Sequence, residues 1–127
     1  MNNYSVYSNT IHGATYRIML EPFGEWSPLR HLRQLAKKYP NIKNIYYGWG
    51  DVYTTDKPDF AVLYPFYVLR DVWKHINLLP AGYYMVCADS QRILNIYHRR
   101  WLSNPKWIYV ESGWLTETKP YLILKKV

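Results

Sequence analysis

A chain of 127 residues, 49% hydrophobic and 20% charged, has the size and composition of a single globular domain able to bury its own core, which excludes a disordered, charge-dense polymer. The net charge of +7, from 16 Lys and Arg against 9 Asp and Glu, suits polyanionic partners over acidic surfaces of other kinds. Cys87 is the only cysteine, so an intrachain disulfide and a thiolate metal cluster are both excluded.

The first residues, MNNYSVYSNT, lack a positive segment leading into an apolar run. No stretch approaches the about 18 consecutive apolar residues of a membrane span. A cytoplasmic protein without a membrane anchor is expected. The first clear element is TYRIML, where Tyr16, Ile18 and Leu20 alternate onto one side of a strand. SPLRHLRQLAKKYPNI then predicts a helix, with Ser27 as cap, Pro28 at the first helical position and Pro40 as the stop. Leu29, Leu32, Leu35 and Ala36 form its apolar stripe, and Arg30, Arg33 and Lys37 share another face as a basic ridge.

KNIYYGW follows as a strand rich in strand formers, with Gly48 and Gly50 expected to let the chain reverse before Asp51. FAVLYP is read as either a short strand or an early helical turn. FYVLRDVWKHINLL predicts a second helix on Leu69, Val72, Trp73 and Ile76, bounded by Pro65 and Pro80. The C-terminal third predicts a strand over GYYMVCA, burying the thiol of Cys87, and a helix over DSQRILNIYHRRWL capped by Asp89 or Ser90. That helix carries a core stripe of Ile93, Leu94, Tyr97 and Trp101, with Arg92 and Arg99 on a different face. KWIYVESGW and PYLILKKV close the chain as a hairpin around Glu117 and Thr118. Together these elements predict an α+β fold, with about five or six strands in a mixed sheet and about three helices, a ferredoxin-like arrangement being one candidate.

No motif has the residue types and spacing of a known chemistry. The four histidines, His12, His31, His75 and His98, do not repeat at zinc-ligand spacing, and no cofactor is implied. Asp71 and His75, four apart on one helix, read as an exposed ion pair. The glycines of GWGDVYTT match neither phosphate-loop pattern, and no nucleophile elbow is present. His12, Arg17, His98 and Glu111 are the candidates for an acid–base site of the metal-independent ribonuclease kind.

Charge is unevenly placed. Residues 27 to 43 carry +5 and residues 89 to 106 carry +3, whereas residues 51 to 59 carry −2. Fourteen tyrosines, six tryptophans and three phenylalanines exceed what one small core readily hides, so some rings should be exposed. Cations neutralise phosphates and flat rings stack on unpaired bases, so the pattern points to binding of single-stranded DNA or RNA. Arg30, Arg33, Lys37 and Lys38 are the expected phosphate contacts of the first helix, and Arg92, Arg99, Arg100 and Lys106 of a second basic surface. Trp49 and Trp107 are the leading stacking residues, with Tyr46, Tyr53 and Tyr109 beside them. The expectation is that both basic segments meet on one platform. The alternative partner is another protein, docked through tyrosine and tryptophan by a small inhibitor or accessory factor of a mobile element.

HGATY from His12 and GYYMVCADS from Gly82 resemble the histidine-glycine and glycine-tyrosine strand segments of ADP-ribosyltransferases. The resemblance implies that His12 and Tyr84 line a nicotinamide pocket and that Glu111 is the catalytic acid. The spacing between the segments departs from that family's pattern.

Overall fold

The computed structural model describes residues 3–11, 14–49, 65–88 and 90–127. In chain order the elements are β1 (Tyr4–Ile11), β2 (Ala14–Pro22), α1 (Arg30–Lys38), β3 (Lys43–Trp49), α2 (Pro65–Ile76), β4 (Gly82–Cys87), α3 (Gln91–Leu102), β5 (Trp107–Thr116) and β6 (Lys119–Lys126). The fold is α+β, with one mixed six-stranded sheet in the order β1-β2-β3-β4-β6-β5 among the described residues. β3 and β4 are parallel neighbours, and β6 runs antiparallel to both β4 and β5. A ferredoxin-like sheet splits its parallel pairs with an intervening strand, so adjacent parallel β3 and β4 set this sheet apart from that candidate. FAVLYP, apart from its Pro65, lies outside the described residues, as do Asp51 and Tyr53.

The chain divides into two compact units, one of residues 21–45 with 80–127, the other of residues 3–20 with 46–79. In the second unit β1 and β2 pair as an antiparallel hairpin, from Tyr4 opposite Leu20 to Ile11 opposite Ala14. β1 is a strand that the apolar pattern does not announce, because Ser5, Ser8, Asn9 and Thr10 interrupt its larger side chains. Its α2 buries Val72, Trp73 and Ile76 on the predicted stripe, and Ile18 and Leu20 of β2 are buried.

In the first unit, β6 is buried along most of its length, from Pro120 to Leu124, and its successive side chains serve two different cores. Tyr121 and Ile123 join Met85 of β4, Leu35 of α1, and Phe23, Tyr39 and Ile42 from the segments flanking α1. Leu122 and Leu124 point the other way, the side on which Tyr84 meets Trp107 at 5.5 Å and Trp107 meets Trp101 of α3 at 5.9 Å. Thus α1 covers one face of the sheet and α3 the opposite face.

Local signals place the helix ends only in part. Ser90 caps α3, its side chain accepting from the Ile93 amide at 3.2 Å. Ser27 does not cap α1. It is buried in the preceding turn, where its Oγ accepts from the Gly24 amide at 3.0 Å, and α1 begins at Arg30 after an uncapped Leu29. Asn41 takes a left-handed φ of 56° between α1 and β3, a conformation asparagine tolerates better than most residues. β3 continues through Gly48 to Trp49, so the chain does not reverse at Gly48. The α3 stripe holds at Leu94 and Trp101, which are buried, and at Tyr97, which is half-buried, but loses Ile93, which is 39% exposed. No helix among the described residues is long and apolar enough to cross a membrane.

Candidate nucleic-acid interface

At 3.6 residues per turn, Arg30, Arg33, Gln34 and Lys37 fall on one side of α1. They line a groove of about 300 Å³ with no carboxylate among its lining residues. Arg30 and Lys37 have no ion-pair partner among the described residues. Arg33 is tied down, since its Nη1 donates to the backbone oxygens of Ser27 and Pro28, both at 2.9 Å. It braces the turn into the helix as well as lining the groove. That turn exposes Trp26 (54%), a ring that composition alone does not single out.

Lys38, expected as a phosphate contact, is largely exposed and also reaches toward the sheet. Its Nζ donates to Glu111 Oε2 at 2.7 Å, and Tyr39 Oη donates to the same oxygen at 2.7 Å. Glu111 reaches this face because of a bulge. Tyr109 pairs with Leu124 and Glu111 with Ile123, so two residues of β5 advance against one of β6. Strict alternation would put Tyr109 and Glu111 on the same side. With the bulge, Tyr109 stacks on His98 of α3, centroids 5.0 Å apart, while Glu111 meets α1.

Two turns before Lys38, His31 Nε2 lies 2.7 Å from Tyr121 Oη, the two rings edge to face. Gly113 permits that hydroxyl. A Cβ at 113 would sit 2.6 Å from Tyr121 Oη and 2.9 Å from its Cζ, with the phenol itself held in the core. Gly113→Ala is therefore expected to destabilise the fold by about 1–3 kcal/mol through displacement of a packed ring. Tyr121→Phe should recover part of that loss in the double variant. Thermal melts showing Gly113→Ala equal to wild type would refute this packing.

Burial acts to raise the Glu111 carboxyl, but the hydrogen bonds from Lys38 and Tyr39 and the charges of Lys38 and His31 outweigh it and hold the group below its ordinary 4.5. Lys38 is raised, chiefly by its hydrogen bond to Glu111. Desolvation raises Tyr39 and Tyr121, with the Glu111 charge adding to both. A carboxyl more acidic in the folded state contributes stability that is fully present above its unfolded value and is lost as pH falls through the folded one. The melting-temperature gap between wild type and Glu111→Gln should therefore be wider at about pH 7 than at about pH 3. An equal gap at both would remove the charge from the tether.

The second basic surface lies across the sheet. Arg92, Arg99 and Arg100 are exposed on α3 and Lys106 on the loop that follows. Since α1 and α3 cover opposite faces, the two basic segments form two separate surfaces, not the single platform expected. Trp107 cannot stack on a ligand, because it is 3% exposed, packed among Tyr84 and Trp101 with Lys126 Nζ 5.6 Å above its ring. Trp49 and Tyr46 belong to β3, and their rings lie outside the described structure, as does Tyr53.

The other candidate sites come apart. Glu111 is on the α1 face and His98 on the α3 face; Arg17 belongs to the other unit, and His12 lies outside the described residues. Tyr84 is buried with its hydroxyl donating to Pro80 O at 2.7 Å, on the sheet face opposite Glu111, which the ADP-ribosyltransferase arrangement does not allow. Asp71 and His75 are half-buried, not exposed. Tyr7 Oη donates to Asp71 Oδ2 at 2.5 Å, and the Tyr7 ring stacks on His75 at 3.5 Å. Burial pushes the Cys87 thiol up to about 11, which keeps it protonated and unreactive at neutral pH. Among the described residues no three His, Cys, Asp or Glu side chains converge where a metal could be held. Comparison with protein-family models, curated proteins and solved structures finds no match to this chain.

Proposed function

We propose that this protein binds single-stranded DNA or RNA along the outer side of α1, in the cytoplasm, where a lone reduced cysteine is at home. One observation carries the reading: Arg30, Arg33, Gln34 and Lys37 line a single groove that no carboxylate interrupts. Cations so placed release counterions from a phosphate chain, and the exposed indole of Trp26, in the turn that leads into α1, offers a base a flat surface. The reading rests on α1 alone, since the cations of α3 face the other way.

Anisotropy of a labelled single-stranded oligonucleotide, followed as salt rises, tests it. Three phosphate contacts on a single strand correspond to a log–log slope of about −2. Failure to bind any oligonucleotide at low salt ends the proposal. A second reading, docking to another protein, is favoured by the α3 face, where exposed Ile93 and Ile96 lie among Arg92, Arg99 and Arg100. It predicts a partner lost on changing Ile96 to Asp and unaffected by changes in α1.

A further inference from the structure

Beside the basic groove, on the side of the helix nearer the sheet, two polar pairs lie two turns apart along α1, His31 with Tyr121 of β6 and Lys38 with Glu111 of β5, and the charge of His31 is felt at Glu111. We infer that this cluster cleaves RNA without a metal, by transfer of the phosphodiester from O5′ to the neighbouring 2′-oxygen. The inference rests on the proposed binding along α1, which would lead the backbone of a bound strand past the cluster.

The geometry assigns each group a task. Both hydrogen bonds to Glu111, from Lys38 Nζ and Tyr39 Oη, go to Oε2. Oε1 is left without a partner among the described residues, and the side chain is 28% exposed. It is the atom placed to accept the 2′-hydroxyl proton. The His31 ring spends Nε2 on Tyr121 Oη, which leaves Nδ1 as the donor to the leaving oxygen. In the step, the O2′–P bond forms as the 2′-proton passes to Glu111 Oε1. The P–O5′ bond breaks as the Nδ1 proton of the imidazolium passes to O5′. The products are a 2′,3′-cyclic phosphate and a 5′-hydroxyl, leaving Glu111 protonated and His31 neutral, and exchange with water restores both. Lys38 has two ammonium protons beyond the one given to Glu111, and these stand ready for the charge that gathers on the phosphoryl oxygens.

The base role requires the ionised carboxylate, so the rate should fall as pH drops and Glu111 takes up a proton. The groups facing Glu111 and His31 are Tyr39 and Lys38 at α1 and Tyr121 on β6; Lys38 and His31 are the cations that help keep Glu111 ionised. His31 was absent from the expected acid–base set, because a histidine between two arginines in a helix carries no signal of the strand it will face.

The test uses a labelled single-stranded RNA and the all-deoxy strand of the same sequence, with EDTA present. Wild type is expected to cut the RNA to cyclic-phosphate ends and to bind the deoxy strand without cutting it. Glu111→Gln and His31→Asn should each slow cleavage at least about 100-fold. Both variants should keep the deoxy strand bound, which reports that they are folded. RNA that is bound but left intact by wild type overturns the cleavage and spares the binding. Cleavage at equal rates in wild type and both variants also overturns it. Loss of binding to the deoxy strand by wild type removes the binding reading itself.

Discussion

Reversing Arg30 and Lys37 together to Glu is expected to weaken single-stranded oligonucleotide binding about 100-fold at low salt and to flatten the salt dependence by about 0.7 per lost contact. These two positions are chosen because their side chains line the groove and have no ion pair to break within the described residues. Arg33 is left in place because its bonds to Ser27 and Pro28 brace the turn, so a loss of binding there would mix charge with folding. Lys38 is left in place for the same reason, through Glu111. The matched control is Arg92→Glu with Arg99→Glu on α3, which alters net charge equally on the opposite face of the sheet. If the control weakens binding as much as the α1 pair, overall charge and not the α1 groove accounts for affinity.

Truncating β6 should have the largest effect on stability. Ile123→Ala and Leu124→Ala each remove a side chain that is 0% exposed, and each is expected to cost about 2–5 kcal/mol. In a domain of this size that lowers the melting temperature by roughly 10 °C or more. The two losses arise in different places. Ile123 packs in the cluster with Leu35, Tyr39 and Met85 beneath α1, whereas Leu124 points to the α3 side, where Tyr84, Trp101 and Trp107 meet. Ile93→Ala on the exposed side of α3 supplies the contrast, expected within about 0.5 kcal/mol of wild type. Circular-dichroism melts decide the matter: a near-neutral Ile123→Ala would show that β6 does not sit between two packed layers.

Tyr109 and Trp107 illustrate what patterning can and cannot deliver. Both lie beside Lys106, and both read as rings available for stacking. Trp107 proves to be core because the strand pairs it with Lys126 and turns it under Trp101, while Tyr109, two residues on, is 40% exposed. Composition counts more rings than a core can hold, and the fold decides which ones remain outside.

Sequence by itself determined the types and order of every described element after β1, because helix and strand periodicities are local: the stripe of α2, the PYLIL run of β6 and the turn at Glu117 and Thr118 are visible in short windows. It also located the cations, and with them the basic ridge of α1. Only the tertiary structure decided which side of the sheet each helix covers, and hence that the two basic segments stand apart. It also decided, through one extra residue in β5, that Glu111 meets Lys38, Tyr39 and the neighbourhood of His31. Side-chain alternation specifies facing only within an element; the common frame comes from strand pairing and bulges, which join residues far apart in the chain.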